Sequence, residues 1–413
     1  MLICPSRALI TTLAALSLSL SSSLASAQEQ PSSPAADQGA PASAKQRSGD
    51  TPFGFDVELG GYAQVRYQSI QDDPRVAQFI GLNDGFALSN ARLNLSLKRK
   101  ALSAFFSLEG ARDRRQPNNR AQGDVRTLML DAYFDYSFAP AFTLRLGRFK
   151  PAYDANELES TARLLFIDRA LESRGVLGVE GLNERGLSLA RQTGLQLISK
   201  LRFSADMGLK LIVSVTNGNS AESALNDNES LAYTGRAVFK ARFNRDVKLR
   251  LGGGGYMNEV TTGELPDLIS ERRVGMTADL QLLLYGLIIQ GQWMRQVTSF
   301  VEVANEPTRT GEGLHADVGF DLGTFSPALK GLIPSYRFAT YDPTKVIDST
   351  DADLQTALGA DALTHHTVGF TALLTQSPVD EPLKLQINYT LAREQEARLS
   401  KNDRLDLMLQ MMF

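Results

Sequence analysis

The sequence predicts an all-β fold: a closed antiparallel transmembrane β-barrel of about 16 strands, with short periplasmic turns and long extracellular loops. Three observations predict it. Apolar and polar residues alternate in segments of about ten residues from Phe53 onward. The connections between these segments are alternately short and long. The N-terminus has the pattern of a secretory signal peptide, which directs export from the cytoplasm.

The N-terminal segment, residues 1–27, is the predicted signal peptide. Met1–Arg7 ends in a positive charge, residues 8–24 form an apolar run diluted by serines, and Ala25-Ser26-Ala27 fits the small-x-small cleavage pattern. The purely apolar part is shorter than the ~20 residues that a membrane-spanning helix needs. We therefore expect cleavage after Ala27, in preference to a membrane anchor.

Residues 28–50 differ in composition from the rest of the chain. They are rich in Pro, Ala, Ser and Gln and have no hydrophobic period. A segment of this kind buries too little apolar surface to fold, so we expect a disordered periplasmic tether. The barrel is expected to occupy residues 51–413.

The composition excludes several kinds of chemistry. The chain has 43 Lys and Arg against 46 Asp and Glu, so nothing in the net charge of -3 favours nucleic-acid binding. Three His and one Cys, at position 4, provide little material for a zinc site, a redox pair or a Cys-His nucleophile. We expect no cofactor, no metal site and no catalytic residues.

Alternation is clearest in the C-terminal segment, which predicts a strand with one apolar and one polar face. The apolar face is formed by Leu405, Leu407, Leu409, Met411 and Phe413, and the other by Arg404, Asp406, Met408, Gln410 and Met412. The same period predicts strands at 57–68, 91–98, 102–109, 127–138, 141–149, 207–216, 232–243, 247–257, 273–285, 286–296, 313–323, 332–342, 365–375 and 383–393.

A further strand near 185–198 has the weakest pattern. Arg191 would fall on its apolar face. A bulge, or a hairpin turn nearer 204–206, would restore the alternation.

The connections divide into two groups. The short ones are 99–101, 139–141, 244–246 and 285–286, with longer pieces at 324–331 and 376–382. The long, polar ones are 69–83, 113–124, 150–184, 217–230, 258–272, 297–312, 343–363 and 394–402. This division is typical of bacterial outer-membrane barrels, and a soluble sandwich has no reason to show it.

We expect the barrel to close because its strands lie in the hydrocarbon of the bilayer, where every backbone polar group needs an internal partner. The apolar faces then point to lipid. We expect aromatic residues at both membrane interfaces. Those assigned to the periplasmic rim are Phe138, Phe142 and Phe413, and those assigned towards the other rim are Tyr67, Tyr256 and Tyr341.

The longest connection, 150–184, is the predicted pore constriction. Sixteen strands leave an aqueous lumen into which a loop can fold. Residues 158–171 have helical spacing and more apolar side chains than a solvated loop needs. We expect this segment to fold inward and narrow the pore. The alternative is a surface loop with solvated charges.

At this loop the chain resembles a known family. Residues 147–153 (GRFKPAY), 157–160 (ELES) and 166–171 (FIDRAL) resemble the phosphate-selective porin O and P family, with looser similarity at 91–93, 130–136, 336–338 and 341–343. The resemblance implies a trimeric sixteen-stranded outer-membrane channel, anion- or phosphate-selective in some members. The order Lys150-Pro151-Ala152-Tyr153 departs from the usual motif, and we identify no dense basic ladder of the kind associated with phosphate selection.

We therefore expect a bacterial outer-membrane porin through which small hydrophilic solutes diffuse passively, general or anion-preferring. Its expected partners are outer-membrane lipid, two further copies in a homotrimer, and small anions or other hydrophilic solutes. Weak, multiple sites favour conduction over tight binding. The residues predicted for the narrowest region are Arg145, Lys150, Arg163, Arg169 and Arg174, and those predicted for the wall are Arg66, Arg92 and Arg337.

Two other functions agree less well with the sequence. A non-channel barrel, such as an adhesin or structural protein, would depend on its loops more than on its lumen. An outer-membrane hydrolase needs a positioned base, but only His315, His365 and His366 are available and no Gly-x-Ser-x-Gly elbow occurs. We expect no enzymatic activity.

Overall fold

The computed structural model describes residues 54–71, 84–112, 126–176, 184–218, 226, 228, 230–264, 267–300, 308–348, 362–374, 383–394 and 402–413. The predicted signal peptide, 1–27, and tether, 28–50, lie outside the described residues. So do most of the predicted loops at 69–83, 113–124 and 343–363.

Sixteen long antiparallel strands form one closed barrel. They are β1 Asp56–Ile70, β2 Asp84–Arg99, β3 Leu102–Arg112, β4 Arg126–Ala139, β5 Phe142–Phe149, β8 Gln192–Arg202, β9 Met207–Thr216, β10 Ala232–Arg242, β11 Val247–Glu264, β12 Asp267–Leu284, β13 Leu287–Phe300, β14 Thr308–Phe320, β15 Leu332–Asp348, β16 Leu363–Leu373, β17 Leu383–Glu394 and β18 Arg404–Met412. Two short strands, β6 Gly175–Val176 and β7 Glu184–Arg185, pair within the connection from β5 to β8.

Helical structure is limited to single turns in the described ranges. The α-helical turns are Ala155–Leu158 and Leu171–Arg174, and 3-10 turns occur at Thr161–Arg163, Leu322–Thr324 and Pro327–Leu329. In the described part of the chain, no helix has the length and apolar character needed to cross a membrane.

The barrel closes between its first and last strands. β1 pairs with β18 from Tyr62 opposite Met412 to Ile70 opposite Arg404. Beyond this register, Gly61 N–H donates to the Phe413 carbonyl at 2.8 Å and Phe413 N–H donates to the Gly61 carbonyl at 3.1 Å. The pairing removes both sheet edges, which a strand structure in lipid requires.

The two faces of the strands differ as the alternation predicts. In β18, Leu405, Leu409 and Met411 are exposed on the outside, whereas Met408 and Gln410 are buried inside. The same outward exposure of apolar side chains occurs around the barrel, for example at Val65, Leu93, Leu195, Val213 and Leu251. The outer surface is therefore apolar and the interior polar, the reverse of a soluble protein.

The weakest predicted strand, 185–198, is displaced in the structure. β8 begins at Gln192, and the turn to β9 occupies 203–206, which confirms the alternative of a turn near 204–206. Arg191 precedes the strand and its Nε lies 3.0 Å from Asp131 Oδ1. The conflict on the apolar face does not arise, because Arg191 is not part of the ladder.

The predicted long loop at 258–272 is wrong. β11 continues to Glu264 and β12 begins at Asp267, so only residues 265–266 separate the two strands. The hydrophobic period is lost there because side chains on both faces are polar, as in the opposite pairs Asn258–Arg273 and Glu259–Arg272, while the backbone ladder continues. Period-two hydrophobicity therefore marks only the lipid-facing part of a strand.

The aromatic prediction is correct for one rim and wrong for two tyrosines. Phe138 and Phe142 are exposed beside the turn at 140–141, with their rings stacked at 5.8 Å. Tyr256 and Tyr341 are buried, and both pack inside the barrel against residues of the β5–β8 connection. Their positions in β11 and β15 share the inner face, so they cannot contact lipid.

Candidate pore constriction

The connection from β5 to β8, here called L3 and described over residues 150–176 and 184–191, packs against the inner wall of the barrel. Its apolar residues Tyr153, Leu171, Val176 and Leu187 form one buried cluster with wall residues. The wall contributes Tyr256, Met294, Ala339, Tyr341 and Leu363. The apolar side chains that are unusual for a solvated loop are therefore used to dock it.

The local structure of L3 differs from the helix that the spacing of 158–171 suggests. Only 3-10 and α-helical turns form, because wall side chains take up the backbone carbonyls. Lys384 Nζ donates to the Ala162 carbonyl at 2.8 Å, and Gln386 Nε2 donates to the Leu165 carbonyl at 2.9 Å. These bonds replace the intrahelical bonds that a continuous helix would make.

Glycines of the wall make room for L3. A Cβ at Gly369 of β16 would lie 2.6 Å from Ser335 Oγ and 2.9 Å from the ring of Phe166. A Cβ at Gly313 of β14 would lie 2.3 Å from Glu172 Cβ. Close approach of the loop at both points therefore requires the absence of a side chain.

Asp168 of L3 is the centre of an ion-pair cluster. Its carboxylate accepts hydrogen bonds from Arg66 Nη1 and Nη2 of β1 at 3.0 and 2.9 Å, and from Arg404 Nη2 of β18 at 2.6 Å. Its carbonyl accepts from Arg337 Nη1 at 2.9 Å. Burial alone would raise the pKa of Asp168, but Arg66 and Arg404 outweigh it and hold the pKa well below its usual range.

A second polar anchor lies on β14. Glu172 Oε1 of L3 lies 2.5 Å from His315 Nδ1, and both side chains are buried. His315 faces inward, as its alternation with exposed Leu314 predicts. In the described part of the chain no group of three or more His, Cys, Asp or Glu side chains could hold a metal ion.

The start of L3 carries a charged network. Lys150 Nζ lies 2.8 Å from Glu157 Oε1, and Arg169 Nε lies 2.8 Å from Glu157 Oε2. Burial lowers the pKa of Lys150 to about 7, although Glu157 opposes this. Burial would raise the pKa of Glu157, but Lys150 and Arg169 lower it to about 2. The single carboxylate of Glu157 is shared between Lys150 and Arg169, so it offsets only part of the effect of burial on the pKa of Lys150.

Four of the predicted residues are arginines of the wall, each of which pairs with a carboxylate. Arg66 bonds Asp168 and Asp406, and Arg92 Nη2 lies 3.1 Å from Glu109 Oε2. Arg337 makes two bonds of 2.7 Å to Asp317, with its guanidinium 4.4 Å from the centre of the Phe166 ring. The three charges are each compensated by a carboxylate, so they contribute little net positive potential.

Arg145 is the fourth, and its prediction as a lining residue needs correction. Its side chain has 0% relative exposure. It makes two bonds of 2.7 Å to Asp135 and lies 3.6 Å above the ring of Tyr133. A guanidinium without accessible surface cannot touch a solute, so Arg145 stabilises the wall.

The remaining predicted residues are on L3. Arg169 is held by Glu157 and by the Asn156 and Glu159 carbonyls. Arg163 is exposed, and Arg174 lies beside Asp168 in a polar pocket. The structure thus joins Lys150 and Arg169 in one network through Glu157. Arg66 and Arg337 both bond Asp168. Arg92 and Arg145 belong to neither network.

The barrel also contains a basic section of wall, here called the basic wall, that the predicted site residues did not include. Lys200 of β8 is directly opposite Lys210 of β9, and Lys240 of β10 is directly opposite Arg250 of β11. All four are at inward positions, since Leu201, Leu211 and Leu251 beside them are exposed outside. A signal existed: β8, β9 and β10, described in full, contain no Asp or Glu.

The basic wall lies on the periplasmic side of the L3 contacts. On the same inner face, two residues further from the periplasmic turn than Lys200 and Lys210, Ile198 and Ile212 pack against Ala152 of L3. In the next strand, β10, Arg236 Nη1 donates to the Tyr153 carbonyl of L3 at 2.7 Å. A solute that passes L3 therefore meets these four cations on its way to the periplasmic turns.

The closed sixteen-stranded barrel, its apolar outer surface and its inward-folded loop define an outer-membrane porin, a channel for small solutes in the bacterial outer membrane. Residues 57–261 match the family described as phosphate-selective porin O and P, the family that the motifs of L3 resemble. Family and fold point to a channel and not to an enzyme. No curated protein is significantly similar in sequence.

Solved porins share the fold at low sequence identity. The channel DcaP of Acinetobacter baumannii is 13% identical, with 88% of this chain and 99% of that chain covered and a TM-score of 0.56. An anion-selective porin from Comamonas acidovorans is 11% identical, with 87% and 100% covered and a TM-score of 0.55. OmpF of Salmonella typhi, in complex with daunomycin, is 12% identical, with 88% and 99% covered and a TM-score of 0.54.

Proposed function

We propose that this outer-membrane channel conducts small solutes passively with a preference for anions, and that L3 forms its constriction. The observation that carries the proposal is the basic wall, in which Lys200, Lys210, Lys240 and Arg250 share the inner face of four adjacent strands, three of which, β8, β9 and β10, contain no Asp or Glu. Like charges on opposite residues of a ladder raise the local positive potential. A ring or patch of basic side chains in a pore favours anions.

The proposal assigns different roles to the predicted arginines. Arg66, Arg92, Arg145 and Arg337 hold the wall and L3 in place through their carboxylate partners. Lys150, Arg163, Arg169 and Arg174 lie on L3 itself, where they contribute weak sites along the anion path. Weak, multiple sites suit conduction, because an ion that is held tightly does not leave.

Assembly as a homotrimer is part of the proposal. It is supported by the family resemblance of residues 147–171 and by OmpT of Vibrio cholerae, solved in a trimer form, which is 8% identical with 87% and 99% of the chains covered and a TM-score of 0.52. Chemical crosslinking of the protein in outer-membrane vesicles should yield a ladder that ends at three copies. A ladder limited to one copy would remove this part of the proposal.

The test of ion preference is the reversal potential of the purified protein in planar bilayers under a KCl gradient, with inorganic phosphate as a competing anion. We expect stable conductance steps with an anion-biased reversal potential, and block by phosphate would extend the preference to that ion. A cation-biased or unselective channel would refute anion preference. A folded barrel without conductance would favour the adhesin or structural alternative.

A further inference from the structure

A pocket lies between L3 and the wall strands β11 to β14. L3 contributes Glu159 and Arg163, and the wall contributes Arg250, Gln281, Gln290 and Gln292. The pocket is partly open, so a small solute can reach its lining.

One end of the pocket carries positive charge from both sides. Arg163 approaches from L3, and Arg250 from β11. The nearest carboxylate oxygen to Arg250, Glu159 Oε2, is 3.9 Å from its Nη1, beyond hydrogen-bond distance. Its buried Nε has no hydrogen-bond partner among the described residues. The side chain as a whole is 26% exposed, so guanidinium donors other than the buried Nε are available for an anionic oxygen.

The next wall positions carry amides. Gln281 of β12 is directly opposite Arg250 on one side and Gln290 of β13 on the other. An amide offers donors and an acceptor, which complement a hydroxyl group that both donates and accepts. By contrast, Gln292 is already used, since its Nε2 donates to Asp154 and Thr277 at 2.9 and 3.1 Å.

The carboxylates at the pocket limit the charge of the ligand. Asp279 is neutralised by Arg236, with 2.5 Å between Oδ2 and Nη2, but Glu159 is partly exposed beside Arg250. A second negative charge close to Glu159 would be repelled, whereas a hydroxyl can donate to it. This arrangement favours a single carboxylate with hydroxyl groups over a dianion such as phosphate.

We propose that this pocket is a transient binding site for small hydroxylated monocarboxylates, with the carboxylate on Arg163 and Arg250 and the hydroxyl groups on Gln281, Gln290 and Glu159. The inference rests on the proposed anion preference and specifies a solute class for it. The partly exposed position of Arg250 makes the binding weak, as passage through the channel requires.

The test is current block in planar bilayers with gluconate added to KCl. Acetate, which has the charge without hydroxyls, glucose, which has hydroxyls without charge, and inorganic phosphate serve as comparators. We expect gluconate to block at a concentration about tenfold lower than each comparator, equivalent to one good additional polar interaction. Gluconate that blocks no better than acetate or phosphate would overturn the inference.

Variants separate the pocket from general electrostatics. Arg250→Gln should remove most of the tenfold advantage of gluconate over glucose, because it removes a partner of the carboxylate. The charge-neutral pair Gln281→Leu and Gln290→Leu should remove most of the advantage of gluconate over acetate, because it removes partners of the hydroxyl groups. Lys248→Gln removes the same charge from the same face of β11 outside the pocket, and should leave both advantages unchanged. A cooperative thermal unfolding transition at the wild-type temperature establishes that each variant is folded.

The outcomes distinguish the two proposals. An anion-biased reversal potential without any preference for gluconate would refute the pocket and retain the proposed function. A channel without anion bias would refute the proposed function itself. Loss of the gluconate preference in Lys248→Gln as well would refute the pocket, because it would trace the effect to overall charge.

Discussion

The carboxylate of Asp168 accepts two hydrogen bonds from the guanidinium of Arg66, at 3.0 and 2.9 Å. Arg66 is on the first strand and Asp168 is in the middle of L3, 102 positions further along the chain. Arg404 of the last strand bonds the same carboxylate at 2.6 Å. One loop residue thus bridges the two strands at which the barrel closes.

The first prediction concerns this anchor. Asp168→Asn removes the charge that two arginines share, and should destabilise the docked L3 by roughly 2 kcal/mol, the usual contribution of a charged hydrogen bond. We expect larger or noisier single-channel currents as L3 leaves its docked position. Asp246→Asn, in an exposed periplasmic turn, is the control and should behave as wild type. Unchanged currents in Asp168→Asn would mean that this anchor is not needed.

The second prediction concerns pH. Burial lowers the pKa of Lys150 to about 7, so this amine is charged below that pH and neutral above it. The positive charge of the constriction therefore falls as pH rises through 7, and the reversal potential should become less anion-biased between about pH 6 and pH 8. Lys150→Gln should remove this change, while Lys150→Arg should hold the bias constant. The same pH dependence in Lys150→Gln would assign it to another group.

The third prediction concerns the basic wall. Replacement of Lys200 and Lys210 by Gln should reduce the anion-to-cation permeability ratio several-fold, because two adjacent charges disappear from the same ladder position. Reversal potentials under a KCl gradient measure this ratio. Lys100→Asn is the control for bulk charge: it removes one charge from an exposed turn, where the backbone φ of 51° suits Asn. An equal effect in the control would indicate bulk charge and not the wall.

The fourth prediction concerns Arg145. Arg145→Met leaves Asp135 buried without its partner, which should destabilise the barrel by about 3–5 kcal/mol. Unfolding in denaturant, followed by tryptophan fluorescence of Trp293, measures the change. The double variant Arg145→Met with Asp135→Leu removes both charges and should recover most of the stability. If Arg145→Met instead kept its stability and lost anion preference, Arg145 would be a pore residue after all.

Local patterns predicted the strands because each lipid-facing residue meets the same solvent. Leu405, Leu409 and Met411 could be assigned to the outer face from their spacing alone, and they are exposed there. Tyr256 and Tyr341 were misassigned because an aromatic near a strand end is compatible with either face. Their contacts with L3 depend on the position of a loop that begins more than a hundred residues earlier in the chain, which local spacing does not contain.

The sequence by itself therefore determined the barrel, its lipid-facing surface and the family, since alternation and motifs are properties of neighbouring residues. Only the tertiary structure decided which carboxylates compensate the inward arginines. Arg66, Arg145 and Arg337 are inward cations in the sequence pattern, and strand pairing and L3 place carboxylates against all three. The physical reason is that a Coulomb interaction depends on distance in space, and barrel closure brings together charges up to 340 positions apart, as in Arg66 and Asp406.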